Sequence, residues 1–439
     1  MALRFSPPLF QYLNCNSISG RRPRVGKGTS FVIVASGENA TKLVTFIGKG
    51  GSGKTTAAAL AAQYYAKEGL QTCLVIQSQD TTAEHLMGCK IGTSPCICAQ
   101  NLSVIRLETT KMILEPLNRV KKADARINST QGILEGVVGE ELGILPGMDS
   151  IFAALEIEKL IDFLGVKKAS SQQNFDVVVY DGNNTEETLR VIGAAERARR
   201  YLKYARNMAE KTDIGRLASP SILKLASETM PLSKSNDGSS DAKTSVQIWD
   251  NFEHVLMKAS ASFTDSSKFR CYLVIDPSRP TSLSSALRYW GCAIQAGTEI
   301  SGVFAFSTAD SSSISAVEDV KKKMSPLATA IIPNISPTTD SSLDWNMILQ
   351  VLAVDAKELL NISTKNVQSL VQFDKSKKTV TLFLPGFDKS EIKLYQYRGG
   401  TELLVEAGDQ RRVIHLPTGM QGKVSGAKFS ERSLVVSLK

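Results

Sequence analysis

The most informative segment of this 439-residue chain reads Gly48-Lys49-Gly50-Gly51-Ser52-Gly53-Lys54-Thr55. It matches the pattern G-x-x-x-x-G-K-[ST], follows the apolar run at 43–47 and precedes the strong helix former at 57–62. Glycines at these places let the backbone curl so that successive N–H groups point at one anion, and the following helix N-terminus adds partial positive charge. The segment therefore predicts a strand, a phosphate-binding loop and a helix in succession.

The side chains of this loop have separate expected tasks. Lys54 should reach the β- and γ-phosphates of ATP, the Thr55 hydroxyl should ligate Mg²⁺, and Thr56 should contact the α-phosphate. ATP and Mg²⁺ are therefore the predicted cofactors. The predicted nucleotide-binding residues are Gly48, Lys49, Gly50, Gly51, Ser52, Gly53, Lys54, Thr55 and Thr56.

Up to about residue 340, short apolar runs alternate with longer helical patterns. Nearly continuous apolar strands separated by helices indicate a mostly parallel sheet covered on both faces, so the predicted fold class is α/β. Two long intervals contain helical patterns, such as 150–164 and 186–208, and predict a helical subdomain inserted at about 100–170 and 190–262. The apolar runs lie at 43–47, 73–76, 177–180, 271–275, 303–306 and 328–332.

The pattern changes from residue 367 onward. Short β-rich or alternating runs are now separated by Gly- and Pro-containing turns, which predicts a small antiparallel β-sandwich as a separate domain at 367–439. The predicted strands lie at 379–384, 392–395, 402–406, 412–416 and 433–438.

A resemblance to a known family rests first on Lys49. The sequence Lys-Gly-Gly-x-Gly-Lys-Thr resembles the deviant P-loop of the SIMIBI group, which includes the ArsA/Get, ParA/MinD and nitrogenase-iron-protein families. In these relatives the extra lysine reaches across a dimer interface to the nucleotide of the other subunit. The resemblance therefore implies a homodimer, with Lys49 and Lys54 both catalytic.

A second segment narrows the family. Asp181-Gly-Asn-Asn-Thr185-Glu-Glu-Thr188-Leu189-Arg190 is similar to the switch II pattern D-T-A-P-T-G-H-T-L-R of the ArsA/Get ATPases. An acid at the end of a strand is where Mg²⁺ and its waters need negative charge. Asp181 therefore joins Thr55 in the predicted Mg²⁺ site, and the resemblance implies an ATPase domain over 40–360.

Other parts of the family pattern are altered. Switch I reads T-D-P-A-H in the family, and Ser78-Gln79-Asp80-Thr81-Thr82 stands in its place. Asp80 is the candidate for the catalytic Asp that orients water, although a shift of one residue would put Gln79 there. The family's adenine-contacting Asn would fall near Phe306, and no CxxC pair is present for the zinc of the eukaryotic targeting ATPases.

Residues 367–439 resemble the α-crystallin or small heat-shock domain, on cues such as Leu384-Pro385-Gly386-Phe387 and the run 402–408. This domain joined to an ArsA-type ATPase is typical of a photosynthetic-lineage branch of the Get family. The alternative is a generic sandwich with only a packing role.

The N-terminal stretch differs in charge from the rest. Residues 1–37 contain no Asp or Glu and supply five of the nine net positive charges through Arg4, Arg21, Arg22, Arg24 and Lys27. This composition predicts a transit peptide at 1–36 and location in the chloroplast stroma, the alternative being a disordered basic tail. The remaining charge of about +4 gives no reason to expect nucleic acid as a partner.

Cysteine usage and hydropathy exclude some classes. Seven cysteines with no CxxC pair favour free thiols over a disulfide framework, and no clustered triad for arsenite or antimonite is visible in the sequence. No apolar run approaches the length of about 18 residues that a membrane span needs, so an integral membrane protein is not expected.

The resemblance to the ArsA/Get ATPases implies a homodimeric ATPase that acts as a chaperone or targeting factor for hydrophobic membrane-protein clients. Two alternatives remain. One is a ParA/MinD-like positioning ATPase, for which the basic residues between Arg197 and Arg206 could form a DNA patch, although a solvated helix face explains them as well. The other is a nucleotide-locked scaffold with little hydrolysis.

Overall fold

The computed structural model describes residues 41–108, 118, 122, 148–161, 174–212, 245–307, 311–335, 343–361, 371–408 and 410–439. The predicted transit peptide at 1–36 and most of the first predicted helical insertion lie outside these residues, and so does 213–244 in the second insertion. No helix in the described part of the chain is both long and apolar enough to cross a membrane.

The largest sheet of the described residues has eight strands, in the order β3-β4-β2-β5-β1-β6-β7-β8. Seven neighbouring strands run parallel, and β3 adds an antiparallel edge. The strands are β1 (Lys42–Ile47), β2 (Thr72–Ile76), β3 (Cys96–Ala99), β4 (Leu102–Arg106), β5 (Val177–Asp181), β6 (Phe269–Ile275), β7 (Ile300–Ser307) and β8 (Thr329–Pro333).

Helices cover both faces of this sheet. Every residue of β2, β5 and β6 is buried, as expected for parallel strands between two helical layers. One core contains residues of α1, α2, α9 and α10, and the other contains residues of α3, α4, α7 and α8. The helices are α1 (Lys54–Lys67), α2 (Thr82–Met87), α3 (Met148–Ile161), α4 (Thr185–Ile192), α5 (Ala194–Lys211), α6 (Ser245–Thr264), α7 (Pro280–Ala296), α8 (Ser311–Met324), α9 (Trp345–Val351) and α10 (Val354–Leu360).

The α/β fold class and the six predicted parallel strands are confirmed, and one local bound differs. The first insertion does not begin at about residue 100, because β4 occupies Leu102–Arg106. The helical pattern at 186–208 is confirmed and forms two helices, since Gly193 ends α4 and precedes α5.

The C-terminal part is a sandwich of a four-stranded and a three-stranded antiparallel sheet, ordered β14-β15-β10-β9 and β11-β12-β13. All five predicted strands are present, and β9 and β14 were missed. The strands are β9 (Val371–Asp374), β10 (Thr379–Phe383), β11 (Ile392–Tyr397), β12 (Glu402–Ala407), β13 (Gln410–His415), β14 (Val424–Ser430) and β15 (Ser433–Leu438).

The sandwich is not independent of the larger sheet, because it packs against α7. Apolar residues of β10, β12 and β15 lie in the same core cluster as those of α7, and the Trp290 and Phe383 rings meet edge to face at 5.0 Å. Gly291 allows this approach, since a Cβ there would lie 2.3 Å from the Pro385 carbonyl oxygen.

Two arginines connect the sandwich to α7 by polar contacts. Arg288 binds Glu391 at 2.7 Å, and this pairing lowers the pKa of Glu391 to about 2. Arg412 donates to the Ile294 carbonyl at 2.6 Å, which supplies a cation to the C-terminal end of α7.

The cysteines correct the sequence-based expectation. Cys89 and Cys98 form a disulfide, and the Cys96 sulfur lies within 4.8 Å of both of their sulfurs. A clustered triad is therefore present, although its members are separated by up to nine positions in sequence. Spacing alone could not reveal it, because the contact depends on how the segment between α2 and β3 folds.

Candidate nucleotide site

The phosphate-binding loop lies where strand order reverses around β1, whose neighbours are β5 and β6. Ligands of open α/β sheets bind at such a switch point, beyond the carboxyl ends of the strands. Gly51 and Gly53 have φ values of 78° and 92°, which favour glycine. A Cβ on Gly48 would lie 2.4 Å from the Val274 carbonyl oxygen, so the loop is also packed tightly against β6.

Three predicted residues meet at the base of this loop. Asp181, at the end of β5, is 1% exposed, and the Thr55 hydroxyl hydrogen-bonds to it. Burial raises the pKa of Asp181 to about 6, while Thr55 and the Lys54 ammonium oppose the rise. Burial also lowers the pKa of Lys54, and Asp181 opposes that shift. The buried Asp181 and the partly exposed Lys54 therefore influence each other's charge next to the N-terminus of α1.

The residues of this site fit a magnesium nucleotide, because some of their buried polar atoms lack a hydrogen-bond partner. Among the buried side-chain oxygens of the described residues that have no hydrogen-bond partner, two lie at this loop: Oδ2 of Asp181 and Oγ of Ser52. Buried polar atoms are normally satisfied, so both indicate a missing polar ligand. A carboxylate oxygen suits Mg²⁺ or its waters, and a hydroxyl suits a phosphate oxygen.

Switch II is bonded directly to the loop. The Gly48 N–H donates to Thr185 Oγ1 at 2.9 Å, and that hydroxyl donates to the Gly48 carbonyl at 2.6 Å. The Asn184 side chain caps α4 by accepting from the Glu187 N–H at 2.8 Å. A movement of α4 would therefore pull on the phosphate-binding loop.

Switch I holds the candidate catalytic carboxylate in a local turn. Oδ1 of Asp80 accepts from the Thr82 N–H at 2.9 Å and from the Thr82 hydroxyl at 2.8 Å, which lowers the pKa of Asp80. Asp80 and Gln79 are both exposed. Asp80 raises the pKa of Asp181 electrostatically, so its carboxylate lies near the site. Neither Asp80 nor Gln79 is fixed by burial.

The other predicted residues of the loop differ in how exposed they are. Gly50 is exposed, and Lys49 and Thr56 are partly exposed. Of the two loop lysines, Lys54 is the one whose ammonium lowers the pKa of Asp181.

Two further residues lie at the site. The sequence assigned no role to Arg279, and it marked Phe306 only as the position where the family has an adenine-contacting Asn. The Phe306 ring, at the end of β7, packs so closely on the loop that a Cβ on Gly53 would lie 2.3 Å from Cε2. Arg279 Nη1 would lie 3.3 Å from a Cβ on Gly51. The available signal for Arg279 was a charged residue shortly after an apolar strand of a parallel sheet.

Four of the basic residues on α5 are paired with acids. Lys203 binds Glu253 at 3.2 Å, and Arg206 binds Asp250 at 2.6 Å, both acids lying on α6. Arg199 and Arg200 bind Glu196 on their own helix. These pairs favour the interpretation of this face as a solvated, charge-compensated surface over the DNA patch.

Comparison with known proteins gives the family. The family model described as "Anion-transporting ATPase" matches residues 41–290, which is more than half of the chain. The model described as "HSP20-like domain found in ArsA" matches residues 375–438, within the sandwich.

Individual relatives agree with these matches. A "Putative arsenical pump-driving ATPase" of Chlorobaculum tepidum is 24% identical over 410 residues, which cover 90% of this chain and 95% of that protein. A protein of the same name from Prosthecochloris vibrioformis is 28% identical, over 38% of this chain and 39% of its own length. "ATPase ASNA1 homolog 1" of Paramecium tetraurelia is 27% identical over 35% of this chain and 44% of its own length.

The Lys54–Asp181 pair at the phosphate-binding loop, the strand order around it and the two family matches lead to one conclusion: this chain belongs to the ArsA family of ATPases and carries the HSP20-like domain found in ArsA.

Proposed function

We propose that this ATPase works as a homodimer that binds hydrophobic membrane-protein segments in the chloroplast stroma and couples their capture and release to the ATP cycle. ATP binding closes the dimer, so that each Lys49 reaches the nucleotide of the partner, and hydrolysis reopens it. Bound Mg²⁺ supplies charge neutralisation at the phosphates, and Thr55 and Asp181 hold it or its waters. Lys54 neutralises charge within its own subunit.

The observation that carries the client part is an apolar stripe on α5. Tyr201, Tyr204 and Met208 are 73%, 67% and 48% exposed, and their spacing of three and four residues places them on one helix face. Contiguous apolar groups on an otherwise polar surface indicate an interaction site. Tyr and Met suit this use, because amphipathic rings and flexible thioethers adapt to varied apolar partners.

The neighbouring helix α6 also exposes apolar side chains. Val246 and Met257 on α6 are 54% and 50% exposed, and α6 packs beside α5 through the acids that bind Lys203 and Arg206. The α5–α6 pair thus joins exposed apolar groups to a charged seam that holds the helices together.

The test uses a soluble, labelled apolar peptide of transmembrane composition as the probe. The full chain with Mg²⁺-ATP is mixed with it and separated by gel filtration. We expect wild type to retain the peptide and Tyr201→Ser/Tyr204→Ser/Met208→Ser to lose at least about tenfold in affinity, since each buried aromatic contributes on the order of 1–2 kcal/mol. The nucleotide affinity of the variant should be unchanged.

A matched control is available on the sandwich. Tyr395 and Tyr397 are 42% and 50% exposed on β11, so Tyr395→Ser/Tyr397→Ser removes comparable exposed apolar surface elsewhere. Equal peptide loss in the control, or no loss in the α5 variant, contradicts the proposal. The location is tested separately, by following a fluorescent protein fused to residues 1–36 in plant cells; cytosolic fluorescence would remove the stromal assignment.

A further inference from the structure

Three cysteines converge at the edge of the large sheet, in a part of the fold that the nucleotide site does not use. Cys89 lies in the segment after α2, and Cys96 and Cys98 lie on β3. Their three sulfurs lie within 4.8 Å of one another, and all three residues are partly exposed. The remaining described cysteines, Cys73, Cys271 and Cys292, are buried in the sheet or in α7.

The strand geometry explains the convergence. Residues two apart on a strand share a face, so Cys96 and Cys98 point to one side while Ile97, 76% exposed, points to the other. The pairing of β3 with β4 shifts register between Ile97 and Ala99, which places Cys98 at an irregularity of the edge strand. Cys89 approaches from the α2 side, with 6.5 Å between its Cα and that of Cys98.

Contacts other than the disulfide also hold the backbone around the cluster. Gly88, with φ of 66°, ends α2 and turns the chain. The Glu84 carboxylate accepts from the Ile91 N–H at 3.4 Å and binds Arg106 of β4 at 3.0 Å. The Arg106 N–H donates to the Gly92 carbonyl at 2.8 Å. The two chain segments therefore stay together when the Cys89–Cys98 bond is reduced.

We propose that the reduced chain binds one thiophilic d¹⁰ cation, of the class of Zn²⁺ or Cu⁺, through the sulfurs of Cys89, Cys96 and Cys98. Thiolates select such soft cations over Mg²⁺ or Ca²⁺. With metal–sulfur bonds of about 2.3 Å, ligating sulfurs lie roughly 3.8 Å apart, which a cluster within 4.8 Å meets after small side-chain rotations. A disulfide uses two of the three sulfurs; the cation uses all three.

The chemistry balances in two steps. A phosphine and water reduce the disulfide: the S–S bond breaks, two thiols form and the phosphine becomes its oxide. One Zn²⁺ and three thiols then give a tris-thiolate complex with a single negative charge, and three protons are released. The partial exposure of the cluster leaves a fourth coordination position open to water.

The experiment measures metal content and needs no ATP turnover. The full chain is reduced with a phosphine, given one equivalent of Zn²⁺ or of Cu⁺, and desalted, and the retained metal is compared with the protein concentration. We expect about one ion per chain in wild type and at least a tenfold loss of affinity in Cys89→Ser, Cys96→Ser and Cys98→Ser. The arm with the higher retention identifies the cation.

Two controls isolate the cluster. Cys292→Ala removes a thiol of α7 and should retain the metal, and oxidised wild type should not, because its disulfide occupies two ligands. Circular dichroism and ATP binding of the three serine variants verify their fold. No retention of either cation by reduced wild type, or equal retention by the serine variants, overturns the proposal.

Discussion

At the scale of single residues, the buried carboxyl of Asp181 makes the stability of the chain depend on pH. Its pKa of about 6 in the folded state lies above the unfolded value of about 3.9. The folded state therefore binds more protons between these values. As a result, stability falls as pH rises from about 4 to 6 and stays low above that range.

Replacing Asp181 by Asn tests whether the buried carboxylate lowers the stability of the folded chain. In the nucleotide-free chain at pH 7.5, we expect Asp181→Asn to increase the free energy of unfolding by about 1–3 kcal/mol, because a shift of roughly two pKa units is removed. The difference should fall to about half at pH 5, where wild type is mostly protonated. Urea unfolding at both pH values measures it.

The same variant should bind Mg²⁺-ATP weakly at every pH, whereas wild type should lose Mg²⁺-dependent affinity only below about pH 6. A variant less stable than wild type at pH 7.5 would contradict the assignment of a buried, costly charge at this position.

Either Asp80 or Gln79 is the candidate to orient the attacking water, and the rate of ATP hydrolysis distinguishes between them. If Asp80 orients the attacking water, Asp80→Asn should lower the hydrolysis rate by about 10²–10⁴-fold with ATP affinity nearly unchanged, and Gln79→Ala should have little effect. The reverse outcome would assign the role to Gln79. Single-turnover phosphate release with excess protein measures the chemical step, and a nucleotide titration verifies binding.

Some of this site could be predicted from sequence and some could not. The sequence placed Thr55 near Asp181, and the two side chains are hydrogen-bonded. This closeness was predictable because the loop follows one apolar strand, Asp181 ends another, and parallel strands end at one edge of the sheet. The two hydrogen bonds between Thr185 and Gly48, and the packing of Phe306 on Gly53, depend on which strands are neighbours. That order has no local signature.

At the scale of elements, the contact between α7 and the sandwich depends on Gly291. A Cβ there would lie 2.3 Å from the Pro385 carbonyl oxygen and 2.6 Å from the Phe387 ring, and the first of these is backbone that cannot rotate away. Gly291→Ala should therefore separate the sandwich from α7 and cost about 1–3 kcal/mol by overpacking, despite the gain in helix propensity.

Thermal unfolding and limited proteolysis near residues 361–371 measure this effect. Gly426→Ala is the matched control, since a Cβ at Gly426 meets nothing within 4 Å, and it should leave both readouts unchanged. A Gly291→Ala chain as stable and as protease-resistant as wild type would mean that the sandwich does not depend on this approach.

The sequence predicted the elements better than their packing. Buried strands such as β2 and β6 are continuous apolar runs, so they were found, whereas the edge strand β3 alternates Cys with exposed Ile97 over four residues and gives little signal. The dependence of the sandwich on α7 was missed because Gly291 resembles any helix-interior glycine until its neighbour across the interface is known.

At the scale of the whole molecule, the proposed dimer predicts that two inactive variants restore activity when they are combined, which two monomeric enzymes could not do. Lys54 serves the nucleotide of its own chain, and Lys49 is proposed to serve that of the partner. Lys54→Ala and Lys49→Ala homodimers should therefore both be nearly inactive: the first lacks its own lysine at each site, and the second lacks the lysine of the partner.

A heterodimer of these two variants should recover one working site. The Lys49→Ala chain keeps its own Lys54 and receives Lys49 from the Lys54→Ala chain, so the mixed dimer should turn over at about half the wild-type rate per dimer. The variants are co-expressed with different affinity tags, purified through both tags and assayed for phosphate release. As a control, Lys49→Ala paired with a Lys49→Ala/Lys54→Ala chain should stay inactive, because no chain in that dimer carries Lys49. Turnover of the first heterodimer no higher than the mean of its two parent homodimers would show that Lys49 does not act across a subunit interface.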